Sequence, residues 1–384
     1  MAKTLLEKAI ACHGFIHARH YSEGQIRSHV ILPPAGLSDW STGNHESDAL
    51  ATGIHLQGLS FWWATTKDPK VKAEAKETAR GLRKLQRVTK TKACFARGFK
   101  RAEGPTWDEQ MHFFPREWHQ AGKYRWVGDP STDSLVGIMG GYQAYFELVA
   151  DQKEKAEVAK DVDIIMGRIV DANMRILDVD GRMTLWGNMC PVVLQENLNA
   201  LEGLSHLRAA YHMTKKRRYL NEYYRLIEEH DYHKKAALAN AQASPPPPHY
   251  DWNLATSPLY ALLHYEKDAQ LLRYYYRALE VQWNGAYKAG VREPFVNWAY
   301  KMFRPKAPVR KETLEWLRTV DVGEQVASEP PPPGGQTSLR QQRKYEVVVD
   351  GKPQAIEAVT EGVVRNFLRA YWMGRYYAFI PAEA

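Results

Sequence analysis

Four stretches of this chain share one arrangement, and that arrangement limits the folds open to it more than any other feature. Each runs from an apolar helical segment through a two-to-four-residue polar turn into a charged amphipathic segment. They are "ALATGIHLQGLSFWWATTKDPKVKAEAKETARGLRKLQ", "SLVGIMGGYQAYFELVADQKEKAEVAKDVDIIMGRIV", "NLNALEGLSHLRAAYHMTKKRRYLNEYYRLIEEH" and "SPLYALLHYEKDAQLLRYYYRALEVQW". The first helix of each pair is apolar nearly all round, with small residues such as Gly53, Gly58, Gly137, Gly140 and Gly141 permitting close approach. The second has a clear polar face. An inner helix followed by an outer one explains that asymmetry, and it fits either a solenoid or a closed ring of α-hairpins. The turns near Lys67, Gln152, Lys215 and Lys267 are too unevenly spaced for a consensus solenoid, which favours the ring.

Adding the run 4–20, the pair near 293–318 and the closing "EGVVRNFLRAYWMGRYYAFI" gives about twelve helices, or six hairpins. The expected fold is therefore all-α, a ring of about six helical hairpins forming one domain over residues 1–384. The Pro tracts 244–249 and 329–335 read as rigid loop pieces, because helical segments resume on both sides. "RILDVDGRMTLWG" and "KYEVVVDGKPQAIEAV" each place Asp-Gly between β-favouring runs, so small β-hairpins are expected in the rim loops.

The bulk numbers narrow the class. With 44% hydrophobic and 25% charged residues, and no apolar run long enough for a bilayer, the composition is that of a folded protein without a membrane span. Cys12, Cys94 and Cys190 lack CxxC spacing, which argues against a zinc ribbon and leaves room for one disulfide. The amino-terminal "MAKTLLEKAIACHGF" lacks the apolar core of a secretory signal, and the compartment stays open, as does the oligomeric state. A net charge of +8 is spread in short groups that alternate with acids, which suits an anionic ligand better than a nucleic-acid stripe. Twelve Trp and 21 Tyr turn the expected anion toward acidic sugar, although aromatics this numerous also fill a core.

Two inner-helix starts match. In "GNHESDALATG" and "GDPSTDSLVGI" the pattern Ser/Thr-Asp-x-Leu recurs, placing Asp48 and Asp133 at equivalent points of two hairpins. Ser, Thr and Asp are also the preferred helix-capping residues, worth roughly 0.5–2 kcal/mol. Ser47 and Thr132 can supply the caps and leave both aspartates for other work. His45 and Glu46 flank the first site, Arg125 and Asp129 the second.

The alternating inner and outer helices, the aromatic loops and the acidic helix starts resemble the six-hairpin (α/α) toroid shared by glycoside hydrolases and polysaccharide lyases. Unsaturated glucuronyl hydrolases of that class also use aspartates at inner-helix starts, so the resemblance implies hydrolysis of a glycosidic bond in a uronate-type glycan. That chemistry needs one carboxyl group to protonate the leaving oxygen and another to activate water or attack the sugar, and Asp48 and Asp133 are the expected pair. The toroid lyases imply an alternative, in which His45 or Tyr250 removes a proton while Asn44, Arg97 or Arg375 neutralises the uronate carboxylate. A non-catalytic glycan-binding or sensor domain is the third reading.

Sugar subsites need a stacking face and a directional polar partner. The loops ahead of inner helices offer Arg125, Trp126 and Asp129, then Trp186 and Asn188, then His249, Tyr250, Asp251, Trp252 and Asn253. Glu196 and Glu202 mark the third inner helix. Around His45 neither HxH nor HExxH spacing occurs, so neither a metal nor another cofactor is expected. "DVDG" lacks the later Glu of a calcium loop and reads as a turn.

Overall fold

The computed structural model describes residues 4–31, 41–42, 45–92, 94–104, 106–110, 116–192, 197–241, 249–320, 341–349 and 351–382. Helices α1 (Leu5–Arg19), α2 (Asp48–Thr66), α3 (Pro69–Arg87), α4 (Thr132–Leu148), α5 (Gln152–Asp171), α6 (Asn197–Thr214) and α7 (Arg217–His230) come first. They are followed by the short α8 (Tyr232–Ala236), then α9 (His249–Tyr265), α10 (Ala269–Lys288), α11 (Pro294–Phe303), α12 (Lys311–Thr319) and α13 (Gly362–Tyr376).

The inner ring is α2, α4, α6, α9, α11 and α13. Each packs on the next, and α13 closes the circle against α2. Outside it, α3 leans on α2, α5 on α4, α7 on α6, α10 on α9 and α12 on α11. The sixth outer helix is α1, which packs on α13, so the first and last helices of the chain complete the ring together. The (α/α) toroid expected from the helix pattern is present.

Tight turns join inner to outer helices, and an aspartate organises three of them. Asp68 accepts from the Lys70 amide at 2.8 Å, Asp151 forms a reciprocal capping box with Glu154, and Asp268 accepts from Gln270 and Leu271. Lys67 in the first turn is left-handed at φ 57°. Most connections back to the next inner helix are longer, and four of them carry the small sheets, so the end of the ring where inner helices begin is the elaborated end. The hairpin Arg175–Leu177 with Met183–Asn188 and the strands Gln341–Val349 with Lys352–Thr360 sit where the Asp-Gly turns place them. A three-stranded sheet of Gly98–Arg101, Tyr124–Val127 and Trp118–Ala121 lies in a segment that shows no helical period. The Pro tracts at 244–248 and 329–335 lie outside the described residues.

Helices α2 and α4 approach more closely than side chains would permit. A Cβ on Gly53 would lie 1.8 Å from the Gly137 carbonyl oxygen, so only glycine fits at this crossing. The ring is filled rather than hollow: a cavity of about 20 Å³, lined by Gln57, Phe61, Gln143, Tyr260, Phe295 and Met373, has room for roughly one water. All three cysteines are buried and none is in a disulfide, so the bridge that the sequence permits does not form. Among the described residues, no helix is long and apolar enough to cross a membrane.

Candidate functional site

The polar end of the ring is built from the first residues of the inner helices. Five of these starts carry a carboxyl group: Asp48 on α2, Asp133 on α4, Asp251 on α9, Glu293 ahead of α11 and Glu361 ahead of α13. Acids gather there because helix N-termini carry partial positive charge. What differs among them is how each is enclosed.

Asp48 is 0% exposed. Its Oδ1 accepts from the Ser28 amide at 2.7 Å and the Ser28 hydroxyl at 2.9 Å, while His45 Nδ1 lies 2.6 Å from Oδ2. Strand pairing explains the meeting, because register aligns Thr360 with His29 and Val30 with Thr42, so Ser28, His45 and Glu361 flank one small sheet. His45 itself is buried, left-handed at φ 52°, and edge-on to Trp118 at 5.8 Å. Its Nε2 has no hydrogen-bond partner among the described residues. Asp48 on Nδ1 fixes the orientation of the imidazole, with the buried Nε2 on its far side.

Glu361, absent from the sequence reading, is an acidic neighbour that feels the Asp48 charge. Arg365 Nη1 donates to Oε1 at 2.9 Å, and Oε2 has no partner among the described residues. Burial pushes its carboxyl up to about 7; the Asp48 charge adds to the rise and Arg365 opposes it. Glu293 is held differently, by the side-chain amides of Asn253 and Asn366 at 2.9 and 3.1 Å and by Arg369 at 3.5 Å. The signal for both was an acid directly before a helix start, in "VREPF" and "VTEGV".

Asp133 is only partly buried, beside Arg97. Arg97 itself is a brace: it donates to the Asp129 carbonyl at 2.5 Å and the Glu46 carbonyl at 3.1 Å, and burial pulls its guanidinium down to about 10. Asp129 pairs with Arg116 and accepts from the Leu185 amide at 2.7 Å. The capping expectation fails in detail. Ser47 makes no side-chain cap, and on α4 the cap is Ser131, accepting from Ser134 at 3.2 Å, rather than Thr132.

Other expected site residues divide. Trp126 is 2% exposed in the core, stacked on His119, because its strand turns that face inward; it presents no ring to a sugar. Arg375 falls in the last turn of α13, at the opposite end of the ring, and donates to the Tyr371 hydroxyl. Arg125 is engaged by both oxygens of Glu109 at 2.5 and 2.6 Å. Trp252 is 3% exposed and Asn253 is taken up holding Glu293. Trp186 and Tyr250 are 48% and 59% exposed, while Asp251 and Asn188 are half-buried, and Asn188 Oδ1 accepts from the Cys190 amide. Glu202 is buried inside α6. Asn44 and Glu196 lie outside the described residues, as does the side chain of His249. "DVDG" is a turn, with Gly181 at φ 81°. Among the described residues, the cluster with donors for a metal ion is His13, His17 and Glu74, which belongs to the outer wall and not to this end.

No family model and no curated relative matches the chain. Among solved structures it is similar to an unsaturated glucuronyl hydrolase specific for heparin, at TM-score 0.33 and 13% identity over 98% of this chain and 96% of that one. It is also similar to a family 76 glycoside hydrolase, a mannosidase from Bacteroides thetaiotaomicron, at TM-score 0.37 and 10% identity over 97% and 99%. Superpositions this loose bear on neither the site nor its chemistry.

Proposed function

We propose that this protein is a carbohydrate-active enzyme that hydrolyses a glycosidic bond in an acidic glycan, bound across the end of the ring where the inner helices start. The observation that carries the reading is the abutment of α2 and α4 at Gly53 and Gly137, which sets two carboxylate-bearing helix starts side by side with unequal exposure. Asp133, the more open of the two, is the carboxyl group that meets substrate. Asp48 works from beneath through His45, holding the ring by Nδ1 and leaving Nε2 for the second proton transfer. Hydrolysis needs two such proton-handling groups, one for the leaving oxygen and one for water. The acidic class of substrate is supported by the net charge of +8.

One observation favours a second reading. The Asp48–His45 pair with its bare Nε2 is also suited to removing a proton beside a uronate carboxyl, as β-elimination requires. Digestion of a panel of uronate and sulfated oligosaccharides, followed by mass spectrometry and ultraviolet absorbance, separates the two. Hydrolysis adds one water per cleaved bond without new absorbance, whereas elimination creates a conjugated double bond. Tight glycan binding with no product from any panel member would contradict both and leave a binding domain.

A further inference from the structure

On the outer wall of the ring, three histidines converge on one carboxylate. His13 and His17 lie four residues apart on α1, so they share one helix face. Glu74 comes from α3 and His55 from α2. His13 Nε2 is 2.8 Å from Glu74 Oε2, His17 Nε2 is 2.9 Å from Oε1, and His55 Nε2 is 3.0 Å from Oε1. One ligand atom each from His13, His17 and Glu74 lies within 4.8 Å of the others.

The geometry points to a divalent transition-metal site of the zinc class, in which His13, His17 and Glu74 are the ligands and His55 orients the carboxylate. Zinc bound to imidazole nitrogen and carboxylate oxygen at about 2.0–2.2 Å requires ligand atoms roughly 3–3.5 Å apart; the two His–Glu74 distances of 2.8 and 2.9 Å are near that, and all three ligand atoms lie within 4.8 Å. Two nitrogens and one oxygen from protein leave the fourth position to water or an outside ligand, and the partly exposed His17 gives that position access to solvent. His55 is almost fully enclosed, and its Nε2, 3.0 Å from Glu74 Oε1, fixes the orientation of the carboxylate. Edge-on packing of Trp62 on His13 and near-parallel packing of Tyr21 on His17 restrict both rings. The ligands come from α1 and α3, and the orienting His55 from α2, so a bound ion would pin α1 to the first hairpin beside the seam where the ring closes.

The feature was visible in the sequence as the His-x3-His spacing of "HGFIH". Its partner Glu74 was not, because helix packing brings it there from a separate segment.

The test is calorimetric titration of the dialysed full chain with Zn(II), paired with the visible spectrum of the Co(II)-substituted chain. The site predicts about one equivalent of Zn(II) bound, its loss in the His13→Asn/His17→Asn double variant, and weakening by roughly 10–100-fold in His55→Ala. Far-ultraviolet circular dichroism of the metal-free double variant should match the parent, both substituted side chains being partly exposed. The Co(II) spectrum reads the parent chain alone and should show the intense bands of a low-coordinate ion. Absence of saturable Zn(II) uptake by the parent, equal uptake by the double variant, or a weak octahedral Co(II) spectrum would each overturn the assignment.

Discussion

The start of α2 and the start of α4 carry the same short pattern and lie against each other, yet their aspartates occupy opposite settings. Asp48 is sealed from solvent with both oxygens engaged by Ser28 and His45, whereas Asp133 stays partly open beside Arg97. The difference arises from what the neighbouring segments supply. A small sheet folds Ser28 and Glu361 over α2, while α4 is preceded by the braced turn of Asp129 and capped by Ser131. Equal sequence patterns therefore place two groups at equivalent points of a ring without giving them equal surroundings: one carboxyl group stays partly open and the other is sealed and holds a histidine.

The largest effect should come from the open member. Asp133→Asn is expected to lower kcat on the cleaved glycan by about 10²–10⁴-fold, with a melting temperature equal to the parent's. A parent-like rate would break the comparison.

The enclosed side should instead register in stability and pH. Glu361 has a folded pKa raised to about 7 from 4.5, so the folded state binds the extra proton between those values. Stability from this group is fully present below about pH 4.5, falls as pH rises, and flattens above 7, a loss of about 3 kcal/mol. Burial sets the rise, with Arg365 opposing it and Asp48 adding to it. Denaturant titrations across that window should show the slope in the parent, and a shallower one in Glu361→Gln. A slope of the opposite sign would mean that the carboxyl group is stabilised as an anion.

Two smaller tests address the crossing and the seal. Gly53→Ala sets a methyl group against the Gly137 backbone and should cost roughly 1–3 kcal/mol, read as an equal fall in the stability of both helix starts. Asp48→Asn leaves one of the Ser28 or His45 groups without its acceptor, a cost of roughly 1–3 kcal/mol in chemical denaturation. Smallest of all, Trp186→Ala at the exposed hairpin should leave stability within about 0.5 kcal/mol and act on KM alone.

Local pattern made most of the fold legible. The apolar runs of α2, α4, α6 and α9, and the amphipathic partners after Lys67, Asp151, Lys215 and Asp268, follow a helical period that needs no tertiary knowledge. Asp48 and Asp133 were legible because their starts repeat. Ser28 and Glu361 were not, since only the pairing of His29 with Thr360 brings these distant segments together. Trp126 misled because an aromatic in a loop and one on the inner face of a short strand read alike until the sheet is known. Arg375 misled because α13 runs through the whole ring, and its last turn lies at the wrong end.

The division of labour between the two aspartates is tested most directly by measuring product formation and thermal melting for Asp133→Asn and Asp48→Asn side by side, on the glycan that the parent cleaves. The account predicts that Asp133→Asn melts with the parent and yields no product on the parent's timescale, while Asp48→Asn melts lower and loses activity together with its hold on His45. Full activity in Asp133→Asn, or an unchanged melting temperature in Asp48→Asn, would contradict it.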